Sequence, residues 1–350
     1  MISRSQPPRV GQLRSGERDA ITDVAGVTVG SVTLAEGAVQ TGVTVIRPHG
    51  RDPFQHKVPA ATAVINGFGK SVGLMQLTEL GQLETPIALT NTFSVGALAE
   101  AQVAHCIRGN PETGRSLPTV NPLVLECNDG YLNDIQRMAI TAQHYEAALQ
   151  AAGLQVEQGA VGAGRGMSSF QLKGGIGTAS RRAQLANGAA HTVGALVLSN
   201  FGVQANLLWG GEPLGQRLAA MAVAEEPPQR AEKGSIIMVI ATDAPLDARQ
   251  LQRLAWRAAA GLARTGSVYG HGSGDIALAF STAYTLPHLP DAPMPAVAMV
   301  NEALLDGLFQ AAADSVEQAI VHALWHAGPV TGRDGNHRAS LREMLDTMGA

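Results

Sequence analysis

The pair Gly234-Ser235 sits where a charged, proline-containing stretch, Glu225–Gly234 (EEPPQRAEKG), stops abruptly at the apolar run Ser235–Ala241 (SIIMVIA). A serine hydroxyl placed there has a definite chemistry open to it. It can attack the carbonyl before it and turn the Gly234-Ser235 amide into an ester, and hydrolysis of that ester then cuts the chain. The freed α-amine lies beside the hydroxyl and titrates near pH 7.7–8.0, which suits it to act as the general base for its own side chain. The plainer reading of the same residues is a loop followed by a strand, with glycine supplying the turn. On this junction alone both readings stand.

Other patterns fall short of the chemistry they suggest. Gly69-Lys70-Ser71 ends like a phosphate-binding loop, but the position of the required first glycine is Val64. Gly67-Phe68-Gly69 opens like a dinucleotide fingerprint, yet the third glycine position is Val72. Gly69–Gly73 (GKSVG) matches a nucleophile elbow around Ser71, but ten histidines leave its partner undefined. His322 and His326 have the helical spacing of a zinc pair, with Ala323 where the general-base glutamate belongs. They read as packing or capping residues. No metal and no cofactor is expected. Cys106 and Cys127 are too few for a disulfide framework or a cysteine-rich zinc site and read as buried thiols.

The elements that must position Ser235 follow from periodicity. Val24–Val32, Gly42–Pro48 and Ala60–Asn66 are strand-like runs punctuated by glycine. Gly73–Leu83 and Ser94–Cys106 read as short helices, and Asp134–Ala152 as a longer one stopped by Gly153. Gln158–Gly177 is too dense in glycine for a regular helix and reads as loop with close backbone packing. Ala189–Gly202 contains a strand, and Pro213–Glu225 a helix that Pro227-Pro228 cannot continue. Ser235–Ala241, nearly all apolar and β-branched, has the signature of a strand buried on both faces. Leu246–Ala263 reads as one amphipathic helix, Asp275–Ser281 as a strand and Ala311–His326 as a last helix. The mixture implies a layered α/β protein.

Composition narrows the class further. Forty of 350 residues are glycine and only 4% are aromatic, so the core is built from small and branched aliphatics with many tight turns. A hydrophobic share of 45% with a net charge of −4 excludes a disordered chain. Twenty-five Lys and Arg against 29 Asp and Glu leave no basic excess, so no nucleic-acid partner is expected. The N-terminal stretch lacks a secretory apolar core, and no run approaches 18 uninterrupted apolar residues. No membrane partner is expected, and the default location is the cytoplasm.

Beyond these local readings, an ordered set of motifs runs from about residue 64 to 335. They are Val64–Lys70 (VINGFGK), Glu126–Asp134 (ECNDGYLND), Gly162–Met167 (GAGRGM), Ser199–Gly202 (SNFG), Gly234-Ser235, His271–Asp275 (HGSGD) and Thr331–Gly335 (TGRDG). In this order the sequence resembles the DmpA-type family of L-aminopeptidase/D-esterase-amidases and their β-peptidyl aminopeptidase relatives. The resemblance implies a four-layer αββα sandwich of the kind shared with ornithine acetyltransferases. It implies one catalytic domain over residues 1–350, made as a precursor and self-cleaved into fragments 1–234 and 235–350, which remain together within a homo-tetramer of such pairs. The implied activity is release of N-terminal residues from short peptides, amides or esters through an acyl-enzyme.

Residue by residue, the resemblance makes Ser235 the nucleophile and new N-terminus, with Gly234 the last residue of the first fragment. Ser273 and Asp275 resemble the pair that assists it; some members carry glutamate at the acid, and Asp275 has a shorter reach. A Ser-x-acid spacing on an extended segment puts both side chains on one face. Asn200 resembles the oxyanion-hole residue, Tyr131 the tyrosine that supports the tetrahedral intermediate, and Glu126 is the choice for holding the substrate ammonium group. Two rivals remain: an acyl transferase of the ornithine acetyltransferase kind, whose relatives use threonine as nucleophile, and a non-catalytic binding protein that keeps the fold.

Overall fold

The computed structural model describes residues 5–221 and 233–348. Its longer strands are β1 (Thr28–Glu36), β2 (Val39–Arg47), β3 (His56–Gly67), β4 (Ile87–Asn91), β5 (Leu123–Cys127), β6 (Gly175–Gln184), β7 (Ala190–Asn200), β8 (Lys233–Thr242) and β9 (Gly272–Ser281). Its helices are α1 (Leu74–Leu80), α2 (Val95–Gly109), α3 (Ala142–Gln150), α4 (Leu214–Met221), α5 (Ala248–Trp256), α6 (Ala258–Ala263), α7 (Asp306–Trp325) and α8 (Leu341–Thr347).

These strands form two sheets. The smaller runs β1-β2-β4-β5, and the larger runs β3-β9-β8-β7-β6, with short strands Gln82–Leu83 and Leu286–Pro287 along β3. Alternation along the central strands sends side chains into two different cores. Ile237 and Val239 of β8 meet Leu196 and Leu198 of β7, Ile46 of β2 and Leu125 of β5 between the sheets. Ile236, Met238 and Ile240 point the other way, onto Leu254 of α5 and Val316 and Ile320 of α7. On the outer face of the small sheet, Val43, Val45 and Val124 pack against Leu98 of α2 and Tyr145 and Ala148 of α3. The result is the four-layer αββα sandwich expected from the sequence. Small residues let the layers close up: a Cβ on Gly177 of β6 would lie 1.9 Å from the Ala319 carbonyl oxygen of α7.

Several elements differ from the sequence reading; the helix expected over Ala311–His326 already begins at Asp306, and it is not the last, since α8 follows it. Asp134–Ala152 is not one helix. A 3-10 turn at Ile135–Arg137 ends at Met138 with φ 47°, and α3 starts only at Ala142. The start of the segment is held by distant contacts: the Asp134 N–H donates to the Ala38 carbonyl in the turn before β2, and Asn133 donates to Asp129. Leu246–Ala263 is likewise two helices, meeting at Arg257, whose guanidinium lies 3.9 Å from the centre of the Phe309 ring. The expected helix over Gly73–Leu83 shortens to α1, because Gln82 and Leu83 pair with β3. The Gln158–Gly177 loop contains two short paired strands and the start of β6. The predicted helix at Pro213–Glu225 is seen as Leu214–Met221, and residues 222–232, including Pro227-Pro228, lie outside the described residues. Among the described residues no helix is long and apolar enough to cross a membrane.

Candidate active site

Ser235 is the third residue of a central strand, β8, with neighbours on both sides. β8 pairs antiparallel with β7, setting Ser235 opposite Asn200. It pairs in parallel with β9, setting Gly234 opposite Ser273 and Ser235 opposite Gly274. β9 in turn pairs with the end of β3, where Asp275 lies opposite Asn66. Motifs separated by up to 209 positions, from Asn66 to Asp275, are thus brought to one end of the large sheet by strand register.

The geometry at the Gly234–Ser235 junction is specific. Ser235 is 6% exposed, and its Oγ donates to the Gly234 carbonyl oxygen at 2.7 Å while accepting from the Gly274 N–H at 3.3 Å. The Gly234 backbone has φ 144°, and a Cβ there would lie 2.1 Å from the Asn200 carbonyl oxygen. Only glycine meets both constraints without displacing the strand. Beside it, Ser273 Oγ donates to Asp275 Oδ1 at 2.6 Å, both side chains being buried. The same-face expectation for Ser273 and Asp275 holds, and the shorter reach of aspartate still closes the pair. Asn66 secures the turn ahead of them, its Nδ2 donating to the Gly270 carbonyl at 2.9 Å and to that of Ser273.

Asn200 is held at both ends of its amide. Its Oδ1 accepts from the Ser168 N–H at 2.8 Å, and its Nδ2 donates to the Asn128 carbonyl at 3.0 Å. These two partners fix which way the amide faces, because one can only donate and the other only accept. The loop bearing Ser168 is clamped from beneath by the fully buried Lys173, whose Nζ donates to the carbonyls of Gly164, Met167 and Gly174 at 2.6–2.9 Å. Burial pushes the Lys173 pKa well below its usual value.

Beside Ser235 opens a cavity of about 430 Å³, lined among others by Asn200, Glu126, Tyr131, Lys70 and Arg338. Glu126, 3% exposed at the end of β5, accepts from the Lys70 N–H at 2.8 Å and from the Thr92 hydroxyl. Tyr131 is 41% exposed at the rim, and the Arg338 guanidinium stacks 3.8 Å from its ring centre. The residues given roles through the family resemblance gather at one place: Gly234, Ser235, Asn200, Glu126 and Tyr131 line the cavity, and Ser273 and Asp275 lie on β9, the strand paired with that of Ser235.

Sequence reasoning missed Thr92, Ser168 and Arg338, none of which stands in a local pattern. It also passed over Lys70 as a failed phosphate-loop residue, whereas its backbone N–H orients Glu126. The rejected alternatives find ordinary places. Ser71 Oγ is buried and does not line the cavity, and His322 Nδ1 is bonded to the Thr178 carbonyl at 2.7 Å in the helix layer. Neither thiol is poised as a nucleophile: burial pushes Cys106 up to about 11 and Cys127 well above its usual value.

A serine hydroxyl lies against its own preceding carbonyl at the head of a central strand of an αββα sandwich, beside an open cavity. Residues 19–338 match the model of peptidase family S58. Over 342 residues the chain is 38% identical to β-peptidyl aminopeptidase BapA of Sphingosinicella microcystinivorans, covering 92% of this chain and 85% of that protein. Among solved structures, a β-aminopeptidase of Burkholderia sp. superposes with a TM-score of 0.88 at 42% identity, over 97% of this chain and 96% of the other. The L-aminopeptidase D-Ala-esterase/amidase of Ochrobactrum anthropi, a prototype serine aminopeptidase with a variant Ntn hydrolase fold, does so at 35% identity and TM-score 0.88, over 97% and 95%. The chain belongs to peptidase family S58, and it is a serine aminopeptidase of that family.

Proposed function

We propose that the chain cuts itself between Gly234 and Ser235 and then removes N-terminal residues from short peptides, amides or esters through an acyl-enzyme on Ser235. The observation that carries this reading is the 2.7 Å contact between Ser235 Oγ and the Gly234 carbonyl oxygen, held by strand pairing on both sides. In self-cleavage Oγ bonds to the Gly234 carbonyl carbon and the amide C–N bond breaks, leaving an ester and the free α-amine of Ser235. Water hydrolyses the ester, giving the Gly234 carboxylate and restoring the hydroxyl. The two fragments stay associated in this reading because β8 lies between β7, from the first fragment, and β9, from its own. A homo-tetramer of these pairs is proposed on the family resemblance.

In turnover the α-amine takes the Oγ proton as Oγ attacks the substrate carbonyl, then passes it to the departing amine. Water repeats the sequence to release the acyl group. Ser273, in register with Gly234 and hydrogen-bonded to Asp275, orients the new amine in this reading. Asn200 donates an amide N–H to the oxyanion, Tyr131 supports the same intermediate from the rim, and Glu126 receives the substrate ammonium. The reading is tested by intact-mass and N-terminal analysis, expected to show two fragments with serine at the start of the smaller. Hydrolysis of a panel of L-, D- and β-aminoacyl amides tests the activity. A chain that remains whole and hydrolyses none of the panel overturns it.

Two substitutions separate the roles. Asn200→Ala is expected to lower kcat by about 10²–10³-fold, the usual cost of one oxyanion donor, with a smaller effect on KM. Glu126→Gln removes the charge but keeps the shape: its Oε1 can still accept from the Lys70 N–H, while its Nε2 would donate to the Thr92 hydroxyl in place of accepting from it. Its kcat/KM on aminoacyl amides is expected to fall about 10–100-fold through KM, as for a lost charge-assisted contact. Steady-state kinetics on one amide substrate checks both, and an Asn200→Ala variant with unaltered kcat would remove Asn200 from the mechanism.

A further inference from the structure

We propose that Arg338 receives the terminal carboxylate of the leaving residue, making the enzyme selective for dipeptides with a free C-terminus. This rests on the aminopeptidase reading above and specifies the other half of its substrate. The argument is a chain of contacts across the cavity. Asn200, opposite Ser235, has one side of its amide on the Asn128 carbonyl, two residues past Glu126. The other side accepts from the Ser168 N–H, and the Ser168 hydroxyl accepts from Arg338 Nε at 3.3 Å. Glu126 and Arg338 both line the cavity beside Ser235, and the line of contacts runs from the segment bearing Glu126 through Asn200 and Ser168 to Arg338, with an anion towards one end and a cation at the other.

A dipeptide has the matching polarity. Its ammonium group and its carboxylate lie on opposite sides of a single scissile amide, one residue apart at each end. With the ammonium on Glu126 and the carbonyl at Asn200, the carboxylate falls on the Arg338 side. The guanidinium suits this role because its planar fork meets a carboxylate with two parallel hydrogen bonds. It is also held in orientation: its Cζ lies 3.8 Å from the Tyr131 ring centre, and Nε is directed to Ser168. Lys70, the other cation lining the cavity, is placed differently. Its backbone N–H is on Glu126, and its Nζ lies 4.4 Å from the centre of the Phe68 ring.

The test compares two leaving groups behind one acyl group. The aminoacyl group that the wild type hydrolyses fastest as its p-nitroanilide is joined to alanine and to alaninamide, which differ in the terminal charge. The wild type is expected to favour the alanine substrate about tenfold or more in kcat/KM, as expected for a charge-assisted pair of hydrogen bonds. In Arg338→Ala that ratio collapses towards one, and in Arg338→Lys, which keeps the charge but not the fork, it takes an intermediate value. A purely structural role moves both substrates together and leaves the ratio intact, and that result overturns the proposal, as does a wild type active on both without discrimination. A wild type inert on the p-nitroanilides and on both dipeptide substrates overturns the aminopeptidase reading itself, and this proposal with it.

Discussion

Replacement of Ser235 by alanine is expected to yield a single uncut chain with no measurable aminopeptidase activity. Loss of the nucleophile removes both bond-making steps, self-cleavage and turnover, so kcat/KM should fall by roughly 10⁴-fold or more, on the scale seen when a catalytic nucleophile is deleted. Folding should survive. The hydroxyl makes two contacts, to the Gly234 carbonyl and from the Gly274 N–H, while the strand around it is held by register with β7 and β9. Intact-mass measurement and thermal unfolding check both halves of this. Ser235→Cys keeps a nucleophile in place and is expected to self-cleave, more slowly than the wild type. Two fragments from Ser235→Ala, or full hydrolysis by an uncut chain, would place the chemistry elsewhere.

Gly234→Ala is the second large effect, and it comes without any change to a reacting group. The added Cβ would sit 2.1 Å from the Asn200 carbonyl oxygen and 3.0 Å from Phe201 Cα, on a backbone at φ 144° that residues with side chains rarely adopt. Relief requires the start of β8 to move away from β7, which pulls the scissile carbonyl off the Ser235 hydroxyl and opens the pairing with Asn200. Displacement of about 1 Å at a reacting centre can cost about 10²-fold. Self-cleavage followed by intact mass over time should therefore slow by about that factor or stop. Gly50→Ala, where an added Cβ meets nothing within 4 Å, should self-cleave at the wild-type rate. Equal rates in the two variants would show that Gly234 is not required for its backbone geometry.

Much of the site is readable in the chain because its parts lie on strands. A period of two puts Ser273 and Asp275 on one face wherever the segment is extended, and their 2.6 Å hydrogen bond follows from that. The apolar run after Ser235 marks a strand covered on both sides, and both cores are there. Where the reading failed, the cause lay far away in sequence. Asp134–Ala152 has helical periodicity, but the left-handed Met138 breaks it before α3, in a segment whose start is tied to the distant Ala38. Thr92, Ser168 and Arg338 carry no local signature, since each reaches the cavity from a different element.

The alternation of the strands and the order of the motifs make the layered α/β fold and the family resemblance legible from the chain alone, because these are regularities of sequence, and the roles proposed for Ser235, Ser273 and Asp275 come through that resemblance. Which residues face one another across the cavity is a matter of register between strands and of loops clamped by distant groups such as Lys173. That is why the opposed charges of Glu126 and Arg338, and the need for glycine at 234 rather than any small residue, emerge only when β7, β8 and β9 are packed side by side.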